Sequence, residues 1–259
     1  MRIAHVTDLH LLEAEPAPRL RLRYLSFFRK EDAATRRDYA LSAFRAAKVA
    51  GATHLVVTGD LTEEGTAAQF EVVADVLAES GWGDYHVTLL PGNHDRYDQP
   101  DAWARALDGP LRPWASGSVG VVERDGAVFV PLDSTIPQSW VSSAGALDLA
   151  TLPAGETLRA AAAGRALVLA SHHPPFRVRT HAVHGMRNHA ALHAHLAAHE
   201  ELHLLHGHIH KRVDRAVGGG RARVHSAAAV TVDAEALRLY DVDAGALLPV
   251  DNDVGAAAK

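Results

Sequence analysis

Short apolar runs that each end in a cluster of polar residues occur five times in this sequence, and they constrain its fold most strongly. They lie at residues 3–7, 54–58, 85–90, 166–170 and 202–205. Their length and their content of branched apolar residues are typical of buried strands. Amphipathic stretches separate several of them, and such alternation predicts an α/β protein with a parallel sheet.

Two further patterns complete the predicted architecture. Residues 35–50 and the stretch that begins at Thr66 have apolar side chains at helical spacing. Residues 119–132 surround Asp125-Gly126, and residues 213–225 surround three glycines, so both regions predict antiparallel hairpins. We therefore expect an α/β fold with two mixed β-sheets packed face to face as a sandwich and flanked by helices.

The domain organisation is predicted to be simple. No linker divides the chain of 259 residues, so residues 1–243 are expected to form a single domain. Residues 244–259 are mostly small or polar. We expect them to be a poorly ordered C-terminal tail.

Charge and composition limit the classes of partner. The net charge of −5 gives no overall basic field, and no nucleic-acid partner is predicted. The first ten residues lack a charged segment followed by a long apolar run, and no stretch reaches the roughly 20 apolar residues of a membrane span. We expect a cytoplasmic protein. Nothing in the sequence predicts its oligomeric state.

The polar clusters after the apolar runs are rich in metal-binding side chains. The chain has no cysteine and 18 histidines, so any metal must be held by nitrogen and oxygen atoms. Parallel strands can point such side chains at one place, and seven of them are too many for one ordinary catalytic ion. Two ions are therefore predicted. The candidate ligands are Asp8, His10, Asp60, Asn93, His172, His208 and His210.

In their order, these clusters resemble the motifs of the calcineurin-like metallophosphoesterase family. The family pattern is Asp-x-His, Gly-Asp, Gly-Asn-His-Asp/Glu, a His before a Pro-containing loop, and Gly-His-x-His. Each motif alone is weak, but five in order are a strong signal. They stand here as Asp8-Leu9-His10, Gly59-Asp60, Gly92-Asn93-His94-Asp95, His172-His173-Pro174-Pro175 and Gly207-His208-Ile209-His210.

The resemblance implies a dinuclear centre that hydrolyses a phosphate ester. One ion would be bound by Asp8, His10 and His210, and the other by Asn93, His172 and His208. Asp60 would bridge the two. The ions would be divalent Mn, Fe or Zn, and a hydroxide that bridges them would attack the phosphorus.

The third motif is implied to supply catalytic residues. His94 would lie beside the leaving oxygen, as a general acid or as a stabiliser of the phosphoryl charge, because its ordinary pKa lies near neutrality. Asp95 is a candidate to orient His94 through a hydrogen bond.

The fourth motif leaves an alternative open. The family ligand is the His two residues before the Pro, which selects His172. His173 would then contact substrate or support the ligands. Arg177 and Arg179 follow closely, and their guanidinium groups are suited to an anionic phosphate, so they are candidate substrate contacts or ordinary surface charges.

Two other segments have competing interpretations. Residues 199–203 match the His-Glu-x-x-His pattern of zinc proteases, but the pattern runs into a predicted strand, which disfavours it. Residues 19–30 mix basic and apolar side chains. They are predicted to pack on the domain, and contact with substrate or a membrane surface is the alternative.

The metal motifs predict the reaction but leave the substrate open. The compact length and the His-His-Pro-Pro motif look similar to bacterial cyclic-nucleotide and glycerophospho-type phosphodiesterases. A small phosphodiester is therefore the expected substrate. One alternative is a pyrophosphate hydrolase of a lipid-linked nucleotide, similar to UDP-2,3-diacylglucosamine hydrolase. The other is a non-catalytic binding module on the same fold.

Overall fold

The computed structural model describes residues 1–16, 29–137, 142–199, 201–218, 222–231 and 236–250. Within these ranges the strands are β1 (Arg2–Val6), β2 (His54–Thr58), β3 (Val87–Leu90), β4 (Val122–Glu123), β5 (Ala127–Leu132), β6 (Ala166–Ser171), β7 (Leu202–His206), β8 (Val213–Ala216), β9 (Arg223–Ser226), β10 (Arg238–Asp243) and β11 (Ala246–Val250). The α-helices are α1 (Ala33–Val49), α2 (Ala67–Glu79), α3 (Ala102–Asp108), α4 (Gly155–Ala162), α5 (His181–His184) and α6 (His189–Ala198).

The strands form two sheets, and each contains both parallel and antiparallel pairs. The first has the order β11-β10-β1-β2-β3, in which β1, β2 and β3 are parallel and β10 runs antiparallel to β1. The second has the order β4-β5-β6-β7-β9-β8, with a parallel centre and an antiparallel strand at each edge. The predicted hairpins are the β4–β5 and β8–β9 pairs.

The two sheets pack face to face, and their central strands β2 and β6 are buried on both sides. Ile3 and Val56 of the first sheet share one core cluster with Phe129 and Leu205 of the second. The intervening side chains of the first sheet, including Leu55, pack outward with the helices α1 and α2. Helices α4 and α6 cover the other sheet. This confirms the predicted α/β sandwich with flanking helices.

The helices begin where the sequence supplies capping side chains. The Asp32 carboxylate accepts a hydrogen bond from Thr35 N at 2.8 Å and caps α1, and Thr66 Oγ1 accepts one from Gln69 N at 3.3 Å and caps α2. Gly51, with φ of +79°, follows the end of α1. None of the described helices is long and apolar enough to cross a membrane.

The expectation of a poorly ordered tail from residue 244 is wrong for its first part. Residues 246–250 form β11, which pairs with β10 in the register Leu239 to Val250. Leu247 is 1% exposed and belongs to the core between the sheets, so its burial outweighs the small residues around it. Residues 251–259 lie outside the described residues.

The protease-like pattern does not have the geometry that its chemistry needs. His199 directly follows the end of α6, and His203 lies in β7. Two histidines that share one helix face are required for that motif. Glu200 lies outside the described residues.

Candidate metal centre

The five polar clusters meet at one end of the sandwich. Asp8, Asp60 and Asn93 follow the carboxyl ends of β1, β2 and β3, while His172 and His208 follow those of β6 and β7. Both sheets therefore contribute. Ligand atoms that lie within 4.8 Å of one another form three groups: Asp8, His10 and His210; His10, Asp60 and His94; and Asp60, His172 and His208.

The backbone is strained where it presents these side chains. Five of the candidate ligands have left-handed backbone conformations, which side chains other than glycine rarely adopt. Their φ angles are 56° at Asp8, 46° at His10, 50° at Asp60, 70° at His208 and 54° at His210. Tight packing explains the glycine in one motif, because a Cβ on Gly92 would lie 2.2 Å from Asp60 Oδ1.

The first group is organised around Asp8. Its Oδ2 accepts hydrogen bonds from Thr7 Oγ1 at 2.8 Å and from His208 N at 3.1 Å. The other oxygen, Oδ1, lies 3.3 Å from His210 Nε2 and 4.0 Å from His10 Nε2. One oxygen is thus fixed by the protein, and the other faces two imidazole nitrogens.

The group of Asp60, His172 and His208 places several acceptors around one point. His172 Nδ1 donates to the Thr58 carbonyl at 2.8 Å, so Nε2 of the neutral ring carries a lone pair. That Nε2 lies 3.2 Å from Asn93 Oδ1 and 3.4 Å from Asp60 Oδ2. His208 Nδ1 is 3.2 Å away, and its Nε2 donates to the His184 carbonyl. Such an arrangement is favourable only with a cation, and this donor set suits a divalent metal ion.

Asp60 belongs to two of the three groups, one with His10 and the other with His172. Its Oδ1 accepts a hydrogen bond from His94 N at 2.8 Å. Its Oδ2 faces the centre, 3.7 Å from His10 Nε2 and 3.4 Å from His172 Nε2. A single carboxylate oxygen between two sets of ligands is in the position of a bridge between two ions.

The electrostatics of the centre favour bound cations. Burial opposes charge on Asp60, but His172 and His94 hold its pKa well below the usual range. Burial also opposes charge on His172, yet Asp60 raises the pKa of that imidazole to about 9. The raised pKa means that these acceptors bind a proton strongly, and a metal ion would satisfy the same demand.

A family model described as calcineurin-like phosphoesterase matches residues 1–212. The chain belongs to this family. Membership implies metal-dependent hydrolysis of phosphate esters, and the grouped Asp and His ligands are those that divalent ions require. No curated protein matches the sequence significantly.

Solved structures with the same fold are distant in sequence from this phosphoesterase. A dimetal phosphatase from Danio rerio is 15% identical, with a TM-score of 0.65, and the match covers 93% of this chain and 92% of that chain. The protein TT1561 of Thermus thermophilus is 11% identical, with a TM-score of 0.53 and coverage of 96% and 97%. At these identities the likeness shows the shared fold alone.

The third motif of this phosphoesterase places His94 at the centre but gives Asp95 another role. His94 Nδ1 donates to the Glu63 carbonyl at 2.7 Å, which leaves Nε2 facing the ligands. The expected contact between Asp95 and His94 is wrong. Asp95 instead accepts hydrogen bonds from the backbone of Gly92, Leu61 and Thr62 and from the Thr62 hydroxyl, so it holds two ligand loops together.

His173 is fully buried, and its ring packs against those of His172 and His208. Its Nδ1 contacts Ser134 Oγ and its Nε2 contacts the Ser143 carbonyl, both at 2.9 Å. Both ring nitrogens are thereby used within the protein, which corresponds to a supporting role and leaves neither for substrate. Arg177 and Arg179 are exposed and belong to none of the ligand groups found among the described residues. Their contact with substrate stays a prediction.

Three residues at the centre were not singled out from the sequence. Glu63 is fully buried and lies 3.5 Å from His94 Nδ1. Arg29 contacts both His10 and His94. Tyr97 Oη accepts a hydrogen bond from Asn93 Nδ2 at 3.2 Å and so turns Asn93 Oδ1 toward the ligands. The sequence position of two of them could have drawn attention to the site. Glu63 stands three residues after Asp60, and Arg29 belongs to the basic and apolar segment 19–30.

Proposed function

We propose that this chain is a dinuclear metal-dependent hydrolase whose substrate is a small phosphodiester of the cyclic-nucleotide type. The observation that carries the dinuclear part is Asp60 Oδ2, which lies between two groups of ligands. The small phosphodiester is supported by the likeness of the His172-His173-Pro174-Pro175 motif to those of bacterial phosphodiesterases. Divalent Mn, Fe or Zn is proposed because all ligands are nitrogen or oxygen.

The protein's own residues prepare the reaction by fixing the carboxylates. Thr7 and the backbone of His208 fix Asp8 Oδ2, and the backbone of His94 fixes Asp60 Oδ1, so both carboxylates keep one oxygen for a metal. Bound divalent ions would supply electrophilic activation of the phosphoryl group and of the attacking water.

His94 is the proposed catalytic histidine. Its Nε2 faces the centre because the Glu63 carbonyl holds Nδ1. Burial lowers the pKa of His94, so the neutral ring is favoured. In that form Nε2 is an acceptor. Action as a general acid requires a second proton on Nε2, which the developing charge of the leaving group would have to stabilise.

The proposal is tested with purified protein that is either loaded with Mn²⁺ or treated with a chelator. The substrates are bis-p-nitrophenyl phosphate, p-nitrophenyl phosphate and 3′,5′-cyclic AMP. We expect metal-dependent turnover, with the diesters preferred at least about tenfold in kcat/KM, and loss of turnover in Asp60→Asn. The matched control is Asp101→Asn, which changes an exposed aspartate that pairs with Arg105.

The outcomes separate the two parts of the proposal. Preference for the monoester would refute the diester assignment and keep the hydrolase. Absence of turnover with every ester, or full activity in Asp60→Asn, would refute the hydrolase and favour the binding-module alternative.

The lipid-linked pyrophosphate alternative depends on residues 19–30. Of these, residues 19–28 lie outside the described residues, so their packing or membrane contact stays a prediction. The cytoplasmic location is likewise a proposal.

A further inference from the structure

Arg29 reaches the metal centre from outside the five sequence motifs. Its Nη2 lies 3.1 Å from His10 Nε2 and 3.2 Å from His94 Nε2. The side chain is 12% exposed. Since the Glu63 carbonyl holds the proton of His94 on Nδ1, Nε2 accepts and Arg29 donates. The guanidinium therefore points between a metal ligand and the proposed catalytic histidine.

Glu63 holds Arg29 in this position. Arg29 Nη1 donates to Glu63 Oε1 at 2.8 Å, and Arg36 Nη1 donates to Glu63 Oε2. Glu63 and Arg36 are almost completely buried, and Arg36 also donates to the His10 carbonyl at 2.9 Å. Two guanidinium groups thus contact this one buried carboxylate. In Arg29, Nη1 therefore bonds to Glu63, while Nη2 lies beside His10 and His94.

A bound metal changes what Arg29 can do. An ion on His10 would take the lone pair that Nη2 now contacts, and the guanidinium would then face a second cation in a buried place. Such repulsion is strong in a low-dielectric site. An anion bound between the metal ion and the guanidinium would be attracted to both of them and would offset this repulsion. The planar fork of arginine matches phosphoryl oxygens in geometry as well as in charge.

We propose that Arg29 binds a non-bridging oxygen of the substrate's phosphoryl group and that Glu63 is its positioning residue. The inference rests on the proposed function, because it assigns the phosphoryl contact of that same site. It adds an arginine that lies against the candidate ligands, and the predicted contacts of Arg177 and Arg179 stay predictions.

The test measures binding of inorganic phosphate, with no turnover involved. Mn²⁺-loaded wild type, Arg29→Ala and Arg29→Lys are titrated with phosphate by calorimetry, and metal content is determined in each sample. We expect Arg29→Ala to retain both ions and to bind phosphate about 10- to 100-fold more weakly, as for the loss of one charged hydrogen bond. Arg29→Lys should be intermediate, since it keeps the charge and loses the fork.

The control is Arg37→Ala, which removes the same charge from α1, where Arg37 pairs with Glu79 at the surface. Its phosphate affinity should equal that of the wild type. Equal affinity in Arg29→Ala and the wild type would overturn the proposal, as would the absence of phosphate binding by the metal-loaded wild type. Loss of a metal ion from both Arg29 variants would also overturn the proposal, because Arg29 would then be needed for metal binding.

The role of Glu63 is tested by a double-mutant cycle. Glu63→Gln should weaken phosphate binding in the wild-type background and have little further effect in Arg29→Ala, because it acts through Arg29. Equal losses in both backgrounds would overturn the positioning role. A chain that binds phosphate through Arg29 but hydrolyses no ester would refute the proposed function and leave this inference standing.

Discussion

Acid is expected to destabilise this protein partly through His54, the first residue of β2. The imidazole is fully buried, stacks on Phe129 with ring centroids 4.2 Å apart, and contacts Thr88 Oγ1 at 3.0 Å. Burial, with smaller contributions from Arg124 and His86, lowers the pKa of His54 to about 3. The ordinary value is 6.5, so the unfolded chain takes up a proton at a higher pH than the folded chain does.

The sign and the size of the effect follow from this difference. A lowered folded-state pKa means that stability is complete above pH 6.5 and is lost as the pH falls toward 3. At pH 5 the two pKa values correspond to a loss of about 2 kcal/mol relative to pH 8. That is a large share of the roughly 5–15 kcal/mol by which domains are stable.

The assay is urea unfolding of the wild type and of His54→Gln between pH 8 and pH 5. Gln removes the titrating group, so the free-energy difference between the two proteins should shrink by about 2 kcal/mol as the pH falls. Comparison at each pH cancels the contributions of the other titrating groups, including the candidate metal ligands beyond the opposite end of β2. The control His193→Gln changes an exposed histidine on α6 and should give a constant difference. A constant difference for His54→Gln as well would refute the reasoning.

Three further predictions concern the metal centre. Gly92→Ala should lose metal, since the added Cβ would lie 2.2 Å from Asp60 Oδ1. The control Gly83→Ala places its Cβ in open space and should keep both ions. Two bound ions in Gly92→Ala would contradict this prediction. His172→Ala should lose one ion, while His173→Ala should keep both, and metal analysis that showed the reverse would exchange their roles. Tyr97→Phe should weaken metal binding about 10-fold, because the hydrogen bond that orients Asn93 is lost, and an unchanged metal Kd would refute that role.

The strand ends and the ligand groups could be predicted because they depend on local sequence. The apolar run at 54–58 became β2 with the same bounds, and polar residues within three positions of the ends of β1, β2, β6 and β7 belong to the groups that could hold a metal. Alternation of strand and helix also predicts where such strand ends meet. The sandwich and the grouping of these Asp and His side chains could therefore be predicted without the structure.

The contacts that hold the candidate ligands in place could not be predicted from the sequence, because they join distant parts of the chain. Arg29 and Glu63 are 34 residues apart, and no local sequence pattern predicts their ion pair. Asp95 was expected to serve its neighbour His94 in sequence, yet its hydrogen bonds go to residues more than 30 positions earlier and to Gly92. Leu247 lies in a stretch of small residues whose burial depends on the opposite sheet.

The central position of β1 has a consequence for how this chain is made. β1 pairs with β2 on one side and with β10 on the other, and Asp8 behind it bonds to His208, 200 residues later. During synthesis from the N-terminus, Asp8 therefore emerges 200 residues before His208, whose backbone N–H donates to the Asp8 carboxylate. Two of the three groups of possible metal ligands draw residues from both sheets, so they are complete only once both sheets have formed.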